Sequence, residues 1–243
     1  SRYLPMRIRI VEVINRSRQG ITRPFLCRGE DGNQYFVKGD FAGRRALISE
    51  WLAGRIGQSL GLPIPPFIQV DVPGELVRYS ARDDIRDLGA GIAFGSQVVE
   101  NVDDLTYPFI NQVDESLRAT ILLFDWWICN SDRILTDVGG NVNLLWFHRD
   151  RQLYVIDQNL AFDEENMAAF WDLHVFRDSI QLWTPEFRAR MEPVMGEALR
   201  GLTTWWNEMP GDWTNVESGL SFEAVERLLS RFSSDSCNFW RLR

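Results

Sequence analysis

Lys38 is the only lysine in this chain of 243 residues, and the other 25 of its 26 basic residues are arginine. An ammonium group is compact and fits between phosphate oxygens and a carboxylate, where a planar guanidinium would be too large. The lone lysine therefore indicates a site for phosphate groups. The alternative is that one lysine has survived by chance in an arginine-biased sequence.

Polar residues further along the chain follow Lys38 in an order suited to phosphoryl transfer from ATP. That reaction needs a lysine on the phosphates, a carboxylate that holds the lysine, magnesium ligands and a carboxylate near the attacking hydroxyl. Glu50 lies on the predicted next helix, and Asp132 follows an apolar helix. Asn143 opens a predicted strand, and Asp157 ends the strand after it. Each residue alone is typical of a cap, a turn or a solvated face, but their joint order predicts a nucleotide site.

The triplet His148-Arg149-Asp150 matches the catalytic loop of protein kinases, but its surroundings do not. In those enzymes an asparagine that binds magnesium stands five positions after the aspartate, whereas Val155 stands there in this chain. The segments 142–147 and 152–157 read as two strands joined by a charged turn. The triplet is therefore predicted to be the turn of a hairpin and not a catalytic loop.

The elements that would position these residues are mainly strands in the first part of the chain. Short strands are predicted at 7–15, 25–29, 34–39, 67–72 and 74–80, and the segment 91–102 is predicted to cross to the second part. A helix is predicted from about 44 to 60, since apolar residues recur there at helical spacing and prolines follow it.

The second part of the chain is predicted to be mainly helical, with the hairpin as its only strands. Helices are predicted at 114–129, 164–176, 185–202 and 222–232, with side chains suited to capping before several of them. The fold class is therefore α+β and bilobal. A small lobe at 1–100 would have an antiparallel sheet and one helix, and a mainly helical lobe would span 101–243.

Composition excludes several other classes of protein. The net charge is −8, from 26 basic against 34 acidic residues, and the absence of a basic block argues against nucleic-acid binding. No apolar run is long enough to cross a membrane, which predicts a soluble, cytoplasmic protein. The cysteines Cys27, Cys129 and Cys237 are odd in number and widely spaced, so reduced thiols are predicted rather than disulfides.

Several segments of the chain resemble those of HipA-like kinases, which are distant relatives of protein and phosphatidylinositol kinases. These segments are QGITRP, YFVKG, ISEWLAGRIGQSLGLPIPP, GIAFGS, NSDR, NVNLLW and LYVID. The resemblance covers most of the chain and implies a protein-kinase-like fold. It also implies that Lys38 paired with Glu50 orients the phosphates of ATP, that Asp132 is the catalytic base, and that Asn143 and Asp157 bind Mg²⁺.

The same resemblance implies two contacts with the nucleotide. The turn from Ser17 to Thr22, with Gly20 within it, would lie over the phosphates through its backbone N–H groups. Gln97, Val99 and Glu100 would contact adenine. Ser17 and Thr22 are also candidate autophosphorylation sites.

The chain departs from the protein-kinase pattern at three points. The candidate metal ligand Asn143 lies eleven positions after Asp132, and Asn141 nine, where protein kinases have five; the insertion LTDVGG must therefore loop out. The turn over the phosphates contains one glycine, and Asp157 is followed by Gln158 rather than by Phe-Gly. None of these departures removes a charge that the chemistry needs.

The function predicted from these residues and the resemblance is an ATP- and magnesium-dependent kinase acting on a hydroxyl group, with Ser or Thr of a protein favoured. The resemblance also implies growth control through phosphorylation of a translation component, and an antitoxin partner. One alternative is a pseudokinase that serves as a binding module. Another is a small-molecule phosphotransferase that uses the acidic segment 163–172 as a pocket, although a solvated helix start explains that segment better.

Overall fold

The computed structural model describes residues 7–18, 22–234 and 238–241. Its first strands are β1 (Arg7–Arg16), β2 (Phe25–Gly29), β3 (Gln34–Lys38), β4 (Phe67–Val72) and β5 (Gly91–Gln97). They close into a barrel in the order β1, β2, β3, β5, β4, with apolar side chains inside. The predicted small antiparallel sheet is therefore wrong in one respect, because β1 and β4 pair in parallel and close the sheet on itself.

Barrel closure follows from the length and irregularity of β1. Its carboxyl-terminal part pairs with β2, whereas Arg7, Ile8 and Arg9 pair with Gln69, Val70 and Asp71 of β4. Two irregularities in the β1–β2 register lie within the part of β1 that pairs with β2, between Ile10 and Glu12 and between Val13 and Asn15. Bulges of this kind increase local twist and allow one strand to serve two neighbours.

Helix α1 (Arg44–Ser59) confirms the helix predicted at 44–60. Two short helices, α2 (Gly74–Arg78) and α3 (Ile85–Leu88), connect β4 to β5. The strand predicted at 74–80 is wrong, since α2 occupies that segment. Pro73 precedes the helix in an extended conformation, Glu75 lies in its first turn and Arg78 in its last, an arrangement that stabilises both ends.

The second part of the chain begins with the short strand β6 (Asp103–Asp104) and the buried helix α4 (Glu115–Trp127). Strands β7 (Leu144–Phe147) and β8 (Gln152–Val155) then form the predicted hairpin, and β6 pairs with β7. The triplet at 148–150 lies in the turn between them, as expected.

The remaining elements are helical. They are α5 (Phe170–Leu173), α6 (Pro185–Glu208), α7 (Gly211–Thr214) and α8 (Phe222–Leu229). Single 3-10 segments lie at Asp40–Ala42, Tyr107–Gln112, Glu164–Asn166, Arg177–Leu182, Val216–Ser218 and Ser230–Ser233. No helix among the described residues is long and apolar enough to cross a membrane.

The continuous helix predicted at 164–176 is wrong. Asp163 caps a 3-10 turn through the backbone N–H of Glu165, and α5 begins only at Phe170. The helix then ends at Leu173, and the ring of the next residue, His174, contacts the buried carboxylate of Asp125 at 2.6 Å. A contact with a residue far away in sequence therefore overrides the local helical pattern.

Buried apolar residues of the described chain form two clusters. One fills the barrel, and the larger one joins α1 to α4, α6, α8 and the hairpin. Cys27 and Cys129 are buried free thiols, and burial raises their pKa values to about 12 and about 11. Cys237 lies outside the described residues. The predicted boundary near residue 100 falls between β5 and β6 and stays a prediction.

Candidate active site

Lys38 lies where the barrel meets the larger core. Its Nζ donates hydrogen bonds to Glu50 Oε1 and to Asp157 Oδ1, both at 2.9 Å. Lys38 and Glu50 are 7% and 2% exposed, so this ammonium group is shielded from water. The structure thus brings together three of the residues predicted to bind the phosphates and the metal, from β3, from α1 and from the segment that follows β8.

Contacts around α1 fix Glu50 relative to Asp157. Arg45, in the first turn of α1, donates to the backbone carbonyl of Phe162, and Ser49 Oγ donates to that of Ala161. Both carbonyls belong to the segment that follows Asp157. The helix that carries the glutamate is therefore bound to the loop that carries the aspartate.

The charges at this position are strongly coupled. Burial lowers the pKa of Lys38, but the carboxylates of Glu50 and Asp157 outweigh burial and hold that pKa above its ordinary value. Burial raises the pKa of Glu50, against the opposing effect of Lys38. For Asp157 burial acts in the same upward direction, yet the nearby ammonium holds the pKa below its usual range.

Asp132 lies in the loop after α4, where amide groups contact its carboxylate. Asn143 Nδ2 donates to Asp132 Oδ2 at 3.2 Å, and Asn141 Nδ2 approaches the same oxygen at 3.5 Å. The other oxygen, Oδ1, is buried and has no hydrogen-bond partner among the described residues. Burial raises the pKa of Asp132 to about 6, with the charge of Asp157 acting in the same direction and that of Arg133 opposing it.

The backbone is in the left-handed region at both candidate metal ligands. Asn143 has φ of 50° and Asp157 has φ of 59°. Asn and Asp tolerate this region better than other non-glycine residues, but it remains an uncommon conformation. Such conformations cluster at ligand-binding sites, where surrounding contacts maintain them.

The donor set suits a magnesium ion. Asp132, Asp157 and Asn143 offer carboxylate and amide oxygens, which Mg²⁺ prefers, and one carboxylate oxygen is already buried without a partner. Among the described residues no group of three or more His, Cys, Asp and Glu side chains could hold a metal. Magnesium is usually held by one or two carboxylates together with phosphates and water.

A cavity of about 230 Å³ lies between the barrel and the hairpin and is lined by the polar residues Lys38, Glu50, Asn143 and Asp157, whereas Asp132 is not among its lining residues. Its wall combines them with apolar side chains, among them Phe36, Ile64, Phe67, Phe94 and Val155. Apolar walls with a few convergent polar groups are typical of small-ligand sites. Gly54 also lines the cavity, where a Cβ atom would lie 2.7 Å from the ring of Phe67.

The predicted nucleotide contacts are only partly at this cavity. Ser17, Gln97 and Val99 line it, whereas Thr22 and Glu100 are not among its lining residues. Gly20 lies outside the described residues. None of the acidic residues of the segment 163–172 lines the cavity, and Asp163 serves instead as a helix cap.

A second cavity of about 370 Å³ adjoins the first. Asp104, Asn141, Asn143 and Ile156 line both cavities. The remaining wall of the second cavity comes from residues 105–108 and from the loop between α4 and β7. The two asparagines that contact Asp132 therefore lie where the cavities meet.

Three buried polar residues behind Asp132 were missed by the sequence analysis. Arg133, Asp125 and His174 form a hydrogen-bonded network with one another. A signal for one of them was present, because Asp125 interrupts an otherwise apolar helix and a buried carboxylate needs a partner. The partner could not be chosen from the sequence, since 25 other arginine and lysine residues were available.

A family model described as HipA-like kinase matches residues 10–243 of this chain. The chain belongs to the HipA-like kinase family. The match spans both the barrel and the mainly helical part, so it includes every candidate site residue.

Comparison with solved structures agrees on the fold. A crystal structure of a Helicobacter pylori proinflammatory kinase, CtkA, has a TM-score of 0.54 and 11% identity, and the match covers 95% of this chain and 94% of that one. The Golgi casein kinase with Mn/ADP bound has a TM-score of 0.47 and 14% identity, over 94% of this chain and 71% of that one. No curated protein sequence matches. At such identities the CtkA likeness concerns the fold alone.

Proposed function

We propose that this HipA-like kinase transfers the γ-phosphate of ATP to a hydroxyl group, with Ser or Thr of a protein as acceptor and Mg²⁺ as cofactor. The observation that carries the proposal is the position of Lys38. Its ammonium group lies in a cavity between Glu50 and Asp157, and the amides that contact Asp132 line the same cavity. Kinase chemistry needs these groups in this combination.

The buried charges support a role for a divalent cation. Four carboxyl groups, those of Glu50, Asp125, Asp132 and Asp157, surround only two cations, Lys38 and Arg133, and burial raises the pKa of Glu50 to about 7 and that of Asp132 to about 6. Buried excess charge is costly unless it is compensated. Magnesium held by Asn143 and Asp157 would neutralise this excess and the charge of the phosphates.

Lys38 has two carboxylate partners, and this arrangement defines its role. With a nucleotide in the cavity, Asp157 would turn to the metal while Lys38 donates to a phosphate oxygen. Glu50, which is held on α1, would remain the partner that orients the ammonium. A lysine suits this position because it can exchange one partner for another without moving its backbone.

Asp132 is the proposed base. With a pKa of about 6, its carboxylate is ionised at neutral pH and is more basic than an ordinary aspartate. Catalytic bases work best when their pKa lies near the working pH. The Oδ2 of Asp132 lies beside the amides of Asn143 and Asn141, which line both cavities, and this oxygen would accept the proton of an acceptor hydroxyl.

The acceptor would enter through the second cavity, which meets the nucleotide cavity at Asn141 and Asn143. Tyr107, which lines the second cavity, is 50% exposed. Val138, which lies in the loop between α4 and β7 that forms part of the same wall, is 93% exposed. An open surface of this kind suits a segment of another protein better than an enclosed pocket would. The translation component and the antitoxin partner implied by the family resemblance stay predictions.

The test is mass spectrometry of the purified protein after incubation with magnesium and ATP, beside the variant Asp132→Asn and a calorimetric measurement of nucleotide binding. Phosphate added to the wild type alone supports the proposal. Nucleotide binding without transfer to any acceptor would favour a pseudokinase. No nucleotide binding would contradict the proposed site.

A further inference from the structure

Arg133 follows Asp132 in the loop after α4 and is completely buried. Its guanidinium group makes two hydrogen bonds to Asp125, from Nε to Oδ2 at 2.7 Å and from Nη2 to Oδ1 at 3.1 Å. Its remaining Nη1 donates to the backbone carbonyls of Asn143 at 2.6 Å and Ile156 at 3.1 Å. One planar group therefore joins α4 to the two strands of the hairpin.

The Asp125 carboxylate is fully satisfied in this arrangement. Besides Arg133, it contacts His174 Nε2 at 2.6 Å and accepts from Asn130 Nδ2 at 3.1 Å. His174 Nδ1 accepts from the backbone N–H of Phe176, so Nε2 carries the proton and donates to Asp125. Each partner thus fixes the orientation of the next one.

The two carbonyls that Arg133 contacts belong to the backbone around the candidate metal ligands. One is the carbonyl of Asn143 itself, and the other, that of Ile156, belongs to the peptide immediately before Asp157. Both ligand residues have left-handed backbones, with φ of 50° and 59°. Strained conformations persist where surrounding contacts determine them, and Arg133 supplies such contacts at both positions.

We infer that Arg133 is a positioning residue that holds Asn143 and Asp157 in the geometry needed to bind the metal, with Asp125 and His174 holding Arg133. This inference rests on the proposed function. Residues that orient metal ligands without touching the metal typically change metal affinity or activity by about 10- to 100-fold when they are altered. A lysine could not replace the fork of donors that Arg133 provides.

The competing explanation is that the network only stabilises the fold. A buried ion pair of this kind can be neutral for stability, whereas removing one partner is strongly destabilising. The two explanations differ in what they predict for a folded variant. A stabilising network changes the unfolding temperature, while a positioning network also changes metal affinity at a temperature where every variant is folded.

The experiment measures Mn²⁺ affinity in the presence of ADP, together with ADP affinity in the absence of metal. Three variants are compared with the wild type: Arg133→Lys, His174→Leu, which removes the donor to Asp125, and His174→Gln, which retains an N–H donor. Arg188→Lys is the control, since Arg188 forms a half-exposed pair with Glu192 away from the site. Unfolding temperatures identify the variants that are folded.

We expect Mn²⁺ affinity to fall by about 10- to 100-fold in Arg133→Lys, to fall by a smaller factor in His174→Leu, and to be restored in His174→Gln. ADP affinity without metal should change less than about twofold, because Lys38 is untouched. If Arg133→Lys does not fold, the two His174 variants decide. Unchanged Mn²⁺ affinity in folded variants would overturn the inference while leaving the proposed function intact, whereas a wild type that binds neither Mn²⁺ nor ADP would overturn both.

Discussion

At the scale of single residues, the active site depends on one compact cation between two carboxylates. The Nζ of Lys38 lies 2.9 Å from both Glu50 and Asp157 in a buried environment. An arginine at position 38 would have to place a larger planar group in the same space and would fill part of the cavity. The isolated lysine in an arginine-rich chain is explained by this geometry.

Replacing Lys38 by arginine should therefore lower phosphate transfer by about 100-fold or more, because the larger guanidinium group cannot take the position of the ammonium beside Glu50 and the phosphates. The measurement is the steady-state rate at saturating ATP and magnesium. Arg28→Lys is the matched control, since Arg28 is exposed and pairs with Glu12 at 3.2 Å on the barrel surface. Full activity in Lys38→Arg would show that the lone lysine has no special role.

Asp132→Asn should have opposite effects on activity and stability. Transfer should fall by about 10²- to 10⁴-fold, because the base is lost. The pKa of Asp132 is about 6 in the folded protein and near 4 in an unfolded chain. Protonated Asp132 therefore stabilises the wild type at low pH, and this stability is lost as pH rises from about 4 to above 6. The asparagine variant avoids this loss.

In metal-free buffer at pH 8, Asp132→Asn should therefore be more stable than the wild type, by on the order of 1 kcal/mol or a few degrees in unfolding temperature. The advantage should disappear near pH 4. Thermal unfolding at both pH values measures it. A variant that is less stable than the wild type at pH 8 would show that the ionised carboxylate is not disfavoured in the folded protein.

Residue type and order were sufficient to predict that Lys38, Glu50 and Asp157 belong together. The sequence could not show that Arg133 would contact Asp125, nor that His174 would complete the network, because these contacts depend on the packing of α4 against segments up to 49 residues away. Local patterns indicate whether a residue faces the core or the solvent. They do not indicate which of many chemically equivalent residues it contacts.

At the scale of elements, the loop between α4 and β7 explains the stretched spacing from Asp132 to Asn143. Ile134 N–H donates to the Asn141 carbonyl at 3.0 Å, and Thr136 and Gly139 form a tight turn beyond it. The inserted residues therefore loop out as predicted. Asn143 still reaches Asp132, so the longer spacing does not disrupt the site.

Gly140 is essential to this loop. Its φ is 158°, and a Cβ atom there would lie 2.3 Å from the carbonyl oxygen of Ile134, which belongs to the backbone. Gly140→Ala should displace Asn141 and reduce transfer while leaving the barrel folded. The rate of transfer and the circular dichroism spectrum test this prediction.

Gly196→Ala in α6 is the control for Gly140→Ala, because the nearest atom outside its helix backbone would be the end of the Arg200 side chain at 3.7 Å. It should leave activity unchanged and stabilise the helix by about 0.5–1 kcal/mol. Equal activity in Gly140→Ala and the wild type would contradict the role assigned to the loop.

Most elements could be predicted because their apolar residues recur at helical or strand spacing. The two errors have identifiable causes. In 74–78 a short helix follows Pro73 where the alternation of residues favoured a strand, and in 164–176 the capping by Asp163 and the contact of His174 with Asp125 divide the predicted helix. In the second case the long-range contact between His174 and Asp125, and not the local pattern, determines where the helix ends.

At the scale of the whole molecule, α1 connects the barrel to the larger core. Trp51 Nε1 and Arg55 Nε both donate to Glu208 Oε2 at 3.1 Å, at the end of α6. Gln69 of β4 donates to the Glu208 carbonyl at 2.8 Å. One residue of α6 therefore contacts both the helix that carries Glu50 and the barrel wall.

Glu208→Ala should destabilise the protein by about 1–3 kcal/mol, because it leaves two partly buried donors without their acceptor. The free energy of unfolding in urea measures the effect. Glu197→Ala is the control, since Glu197 forms an exposed pair with Arg200 and should contribute little. Similar stability for both variants would indicate that Glu208 does not join the two parts.

Closure of the barrel is the feature that the sequence could least predict. It depends on parallel pairing of residues 7–9 with residues 69–71, and neither segment contains a signal for the other. Alternation within each strand predicts that a strand forms. The partner and direction of a strand depend on contacts between segments that are far apart in the sequence.

Kinase activity that depends on Asp132 is tested most directly by transfer of labelled γ-phosphate from ATP to Ser or Thr residues of a mixture of proteins. The wild type and Asp132→Asn are compared in the presence of magnesium. We expect labelled acceptor peptides with the wild type and at least about 100-fold less with the variant. Equal labelling by both proteins, or no labelling together with no binding of ATP, would contradict this expectation.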